Sequence, residues 1–131
     1  MKYMLLQGYG PIAGVPPINT WTPGEIKAHI DFQIQLNQEL SNNGEYVDAQ
    51  GLAAPEQARF VVSDGEGLPV ITDGPFPESK EFLAGYRLVD VVSPERAIEI
   101  AAQISAAPGP NGLPIKQPIE VREVPGPPDL D

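Results

Sequence analysis

The chain has 131 residues with 18 acidic and 8 basic side chains, a formal net charge of −10. This length suits one domain with its own hydrophobic core. The few scattered cations argue against direct DNA or RNA binding, which calls for a basic patch, and the absence of cysteine excludes disulfides, thiolate metal sites and cysteine nucleophiles.

No apolar run approaches the length of a bilayer span. The N-terminus offers one lysine and a few apolar residues before Gln7 and Gly8, which is not the pattern of a secretory leader. A soluble cytoplasmic protein without membrane association is therefore expected. The 16 prolines cluster between candidate elements and mark loops, because proline lacks the N–H that ladders and helices use.

Residues 2–7 read as a strand. The unbroken apolar run from Tyr3 to Leu6 suits one covered on both faces. Residues 8–21 form a long Pro/Gly loop, of a length that is functional or mobile in a compact domain. Residues 22–43 read as a helix: Thr22 as N-cap, Pro23 at the first helical position, Glu25 completing a capping box, and Asn43-Gly44 as a left-handed stop. At 100° per residue its apolar arc holds Ile26, Ile30, Phe32, Ile34, Leu36 and Leu40, with His29 and Gln33 intruding on it.

A second strand is expected at residues 46–52. Residues 59–63 and 69–71 read as a hairpin around Asp64-Gly65-Glu66-Gly67. A helical turn at residues 79–82 and a strand at 85–92 follow. Ser93 then caps a helix with Ala97, Ile98, Ala101, Ile104 and Ser105 on one side. Residues 115–124 read as a closing strand broken by Pro118, so the domain spans residues 1–124 and a frayed tail follows from Pro125.

This order predicts an α+β, ferredoxin-like domain with two helices on one face of an antiparallel sheet. The opposite face needs a cover, and a second copy of the chain, a homodimer, would supply it.

The stretch Val70-Ile71-Thr72-Asp73-Gly74-Pro75-Phe76-Pro77-Glu78-Ser79-Lys80-Glu81 resembles the signature of the DGPF-type YCII-related family. The flanks agree in order: Met1-Lys2-Tyr3-Met4-Leu5-Leu6, Gly85-Tyr86, the helix holding Ala97, and Ile119-Glu120-Val121-Arg122. Ile71 stands where the signature has valine, and the loop at residues 8–21 is longer than in short relatives. The resemblance implies a dimeric α+β barrel in which two ferredoxin-like subunits pair sheet to sheet. Two functional expectations come with it: a His/Asp acid–base pair in a small-molecule pocket, or a non-catalytic regulatory module linked to sigma-factor-dependent transcription.

Several residues can carry chemistry, each with a structural alternative. His29, the only histidine, is either a half-buried ring bonded to a loop carbonyl or a general acid or base oriented by a carboxylate. Asp73 either bonds turn amides or, with Phe76, is aimed at a pocket by the stiff Pro75 and Pro77. Asp48 is another possible partner for His29. Arg122 shares a strand face with Glu120, where it either forms an ion pair or binds an anionic ligand in an inter-subunit cleft. Trp21 either staples the helix start or stacks on a ligand. One histidine makes a catalytic zinc site improbable. With no phosphate loop, dinucleotide fingerprint or nucleophile elbow, no cofactor is expected.

Overall fold

The computed structural model describes residues 1–74 and 82–129. Phe76, the charged residues Glu78, Lys80 and Glu81, and the first part of the expected turn at 79–82 lie outside the described residues. Phe82 itself opens a strand rather than closing a helical turn.

Strands β1 (Lys2–Tyr9), β2 (Tyr46–Gly51), β5 (Phe82–Asp90) and β6 (Ile119–Glu123) form an antiparallel sheet in the order β2-β5-β1-β6. Among the described residues the hairpin strands β3 (Arg59–Val62) and β4 (Val70–Asp73) pair only with each other, as a separate two-stranded sheet. With helices α1 (Pro23–Asn42) and α2 (Pro94–Ser105), the main sheet makes the expected α+β, ferredoxin-like arrangement. Within one chain the sheet is open. Strand β6 starts later than expected because Pro118 has no N–H for a ladder and Lys116 adopts a left-handed backbone, φ 58°.

Both helices start as their sequences require. Thr22 Oγ1 accepts from Glu25 N–H, and Glu25 Oε1 accepts from Thr22 N–H. Ser93 Oγ accepts from the Arg96 N–H. At the C-terminal end of α1, Gly44 takes a φ of 74°, and the Glu45 N–H returns to the Leu40 carbonyl.

The core lies between the helices and one sheet face. Tyr3, Leu5, Val89 and Val91 pack there with Leu36 and Leu40 of α1 and Ala97, Ile100, Ala101 and Ile104 of α2. Two details differ from the helical-wheel expectation. Ile100 is buried and Ile98 is exposed in α2; in α1, Ile30 and Ile34 are 50% and 61% exposed. Helix α1 instead turns inward a stripe that includes His29, Gln33 and Asn37, because a buried arginine on β5 requires acceptors from it.

The other sheet face carries Met4, Leu6, Tyr86 and Leu88, which alternate with the core residues and are only half-buried. The two-sided cover expected for β1 is thus supplied on one side by this chain. A bulge between Tyr46 and Asp48 shifts the parity of β2, so Ala49 pairs with Arg87 toward the helices while Asp48 pairs with Leu88 on the open face.

Gly85 marks a close approach of β5 to β2. A Cβ there would lie 2.9 Å from the Gln50 carbonyl oxygen, a backbone atom that moves only if the strands separate. Gly85→Ala should therefore cost about 1–3 kcal/mol in chemical denaturation.

One ion pair joins three elements at the far end of the sheet. The Arg96 guanidinium grips Glu45 with two bonds, Nε–Oε2 at 2.8 Å and Nη2–Oε1 at 2.9 Å, and the Glu45 carbonyl accepts from Asp90 N–H. The bonded Arg96 holds the Glu45 carboxyl below the usual glutamate range. A depressed carboxylate stabilises the fold above its unfolded pKa, and that contribution is lost as pH falls through the folded value. Glu45→Gln should cost about 1–3 kcal/mol at neutral pH and flatten the fall in melting temperature below about pH 4.

Candidate small-molecule site

A cavity of about 870 Å³ opens between the middle of α1, the ends of β1, β2 and β5, and the loop at residues 8–21. Small residues on the strands beneath it, Gly8, Ala49, Gly51, Ala84 and Gly85, leave room for it. Tyr9, Ile12, Val15, Ile18, Trp21 and Ile115 contribute apolar surface, and His29, Gln33, Asn37, Arg87, Gln7 and Gln117 contribute polar groups. Volume and composition fall in the range of small-molecule sites, about 300–1,000 Å³ with a few convergent polar groups.

The walls are tied in place by specific bonds. Trp21 donates its indole N–H to the Pro16 carbonyl at 2.9 Å and sets its ring edge-on to His29, with centroids 5.5 Å apart at 77°. A Cβ at Gly109 would sit 2.5 Å from Ile115 Cγ2 and 3.4 Å from the Trp21 ring, so this glycine lets both side chains close over the same spot. The second oxygen of the Glu25 capping carboxylate accepts from the Asn111 N–H at 2.7 Å. That bond, followed by the one from Thr22, holds its pKa below the usual range and fastens the start of α1 to the 110–112 turn. Gln117 bridges Gln7 and the Gly8 carbonyl at the rim.

The polar groups form one directional chain. Arg87 donates from Nη2 to Gln33 Oε1 at 2.6 Å and to the Gln33 carbonyl at 3.3 Å, and from Nε to Asn37 Oδ1 at 2.7 Å. With its oxygen taken by a cation, the Gln33 amide turns its NH₂ to His29 Nε2, 3.3 Å away. An imidazole nitrogen facing an amide donor must accept. The proton therefore sits on Nδ1, which donates to the Pro108 carbonyl at 2.9 Å. The network fixes the tautomer and the ring plane. The link between the Gln33 and His29 side chains, at 3.3 Å, is a long one and the nearest to being replaceable by a ligand.

The residues singled out from sequence distribute unevenly. His29 and Trp21 both line the cavity and touch each other. Asp73 ends β4 on the exposed hairpin, 3.9 Å from Arg59 Nε, and is not among the lining residues. Asp48 accepts from the Tyr86 hydroxyl at 2.9 Å on the open sheet face, which holds its carboxyl below the usual range. The β2 bulge explains why it does not meet His29. Arg122 stands on the open face beside Glu120, 3.7 Å away on its own strand. Among the described residues no group of three or more His, Asp or Glu is placed to hold a metal ion, and no helix is long and apolar enough to cross a membrane.

Sequence reasoning missed Arg87, Gln33 and Asn37 as a unit. The signal was partly visible: His29, Gln33 and Asn37 recur at intervals of four, which puts them on one helical stripe.

Comparison with known proteins adds two findings. Residues 1–113 match the YCII-related domain family, a span that holds His29, Gln33, Arg87 and Pro108 and ends before Ile115, Gln117 and β6. An uncharacterized protein of Rhizobium meliloti (strain 1021) is 34% identical over 67 residues, which cover 47% of this chain and 54% of that protein. The chain thus spans about half the length of that curated relative. With most of its length matched, including the helix and strand that build the cavity, this chain belongs to the YCII-related domain family.

Proposed function

We propose that this protein binds a small organic molecule in the cavity beneath Trp21, with His29 as a recognition group, and that it does so as a homodimer. The observation that carries the first part is a directional polar network, from Arg87 through Gln33 to His29, on the wall of a largely apolar cavity. Such a network holds donors and acceptors in fixed positions before a ligand arrives, which lowers the ordering cost of binding. Both His29 ring nitrogens are already engaged, which favours binding over proton transfer. Asp73 enters this reading only from a second chain, because within its own chain it pairs with Arg59.

Trp21 is the only tryptophan and lines the cavity, so its emission reports occupancy directly. A screen of small organic molecules by Trp21 fluorescence and thermal shift should return binders. Ala49→Phe, which places a ring in the cavity, should abolish their signal. Binders that survive Ala49→Phe, or a screen that returns none, would refute the pocket reading.

The dimer is supported by the apolar surface left uncovered. Met4, Leu6 and Leu88 occupy the centre of the open sheet face, and every residue of the hairpin strands β3 and β4 is exposed. An isolated two-stranded hairpin is marginal in water, and patches of this kind mark interaction sites. Light scattering at micromolar concentration should give twice the chain mass, and Leu88→Glu should give a folded monomer. A monomeric wild-type protein sinks this part of the proposal.

A further inference from the structure

The most deeply buried cation among the described residues has no counter-charge among them. Arg87 is only 4% exposed, yet the groups that hold it, Asn37 Oδ1, Gln33 Oε1 and the Gln33 carbonyl, are all neutral. No carboxylate pairs with it among the described residues. The chain does not lack acids: it has 18, and it gives the less buried Arg96 both Glu45 and Glu99. A guanidinium taken out of water without a counter-charge carries a desolvation penalty, and burial accordingly pushes Arg87 below the ordinary arginine value.

Two further observations say where the missing charge belongs. Nε and Nη2 are occupied, but the Nη1 amino group has no partner among the described residues. It is not sealed in the interior either, since no side-chain nitrogen among the described residues is both buried and unbonded. Arg87 itself lines the cavity, which makes that space the natural outlet for Nη1. Among the described residues the cavity lining contains no aspartate or glutamate, although acids outnumber basic residues more than twofold in the chain.

We infer that the cavity takes a small organic carboxylate, its anion seated on Nη1 of Arg87 and its apolar body against Trp21, Ile18 and Ile115. This rests on the cavity being a ligand site, and it names the ligand's class. A carboxylate oxygen accepts a charge-assisted bond from the remaining Nη1 donor, and the group carries the single charge that Arg87 leaves unbalanced. A phosphate dianion would need a second cation, and among the described residues the lining offers none beside Arg87, since both His29 nitrogens are already hydrogen-bonded. Asn37 and Gln33 hold the guanidinium by neutral acceptors, which fix its plane without cancelling its charge.

The test is a matched comparison on the unmodified protein, read by Trp21 fluorescence. Straight-chain carboxylates from butanoate to decanoate and a phenylacetate are titrated beside their primary amides, with hexyl phosphate and hexylamine as charge controls. The acids should bind at least about tenfold tighter than their amides, and Arg87→Met should erase that preference. The acid–amide comparison needs no variant, so it decides the matter even if Arg87→Met fails to fold. Equal binding of acid and amide, or preference for hexylamine or hexyl phosphate, overturns the inference and leaves the cavity a ligand site of another kind. The inference also falls if no carboxylate binds while the broader screen finds ligands blocked by Ala49→Phe. If neither experiment finds a ligand, the pocket reading fails, and this inference with it.

Discussion

A guanidinium inside a protein dictates much of what surrounds it, because each of its N–H groups needs an acceptor or access to water. Arg87 stands at an inward position of β5, between Gly85 and Val89, where the alternation of the strand calls for core side chains. The nearest element able to supply acceptors is α1. Gln33 and Asn37, one turn apart, meet the guanidinium with side-chain oxygens. That requirement sets the rotation of the helix. With the Gln33–Asn37 stripe inward, Leu36 and Leu40 still reach the core, but Ile30 and Ile34 are carried to the surface.

The same bond orders the site one residue at a time. Arg87 claims the oxygen of the Gln33 amide, the amide nitrogen then faces His29, and His29 can only accept there and donate to Pro108. A cation on the sheet thus decides the tautomer of a histidine on the helix and pins the 108 loop across α1. The cavity wall inherits this rigidity, since Trp21 rests its ring against His29 and Gly109 follows directly on Pro108. The space itself comes from the opposite feature, the absence of side chains on the strand ends at Gly8, Gly51 and Gly85.

Polar organisation is concentrated on the helix side of the sheet, and uncovered apolar surface on the other. Beyond the open face with Met4, Leu6, Tyr86 and Leu88, the hairpin exposes Val61, Val62, Val70 and Ile71. Both surfaces are continuous with segments that carried the family resemblance, the opening strand and the approach to Asp73-Gly74. Charged groups stand at the edges of the open face, Asp48 on β2 and Glu120 and Arg122 on β6. An apolar centre with a polar margin is the ordinary anatomy of a protein–protein contact.

Local chemistry was legible without coordinates. The capping box at Thr22 and Glu25, the stop at Asn43-Gly44, the Ser93 cap and the hairpin around Asp64-Gly65 depend on neighbours a few residues away, and each formed as its sequence implied. The element order sufficed for the ferredoxin-like class, and the intrusion of His29 and Gln33 into an apolar arc pointed to the cavity side of α1. What the sequence could not yield was everything set by partners far along the chain. The pairing of Gln33 and Asn37 with Arg87 spans 54 and 50 positions, and that of His29 with Pro108 spans 79. A helical wheel ranks residues by hydropathy alone, so it turned Ile30 and Ile34 inward. Period-two alternation fails at a bulge, and the one in β2 sent Asp48 to the face away from His29. Sequence by itself thus determined the elements and the fold class, because caps, turns and periodicity are short-range. Tertiary structure alone decided which face of α1 is inside, because a buried charge on a distant strand outweighs the burial of two isoleucines.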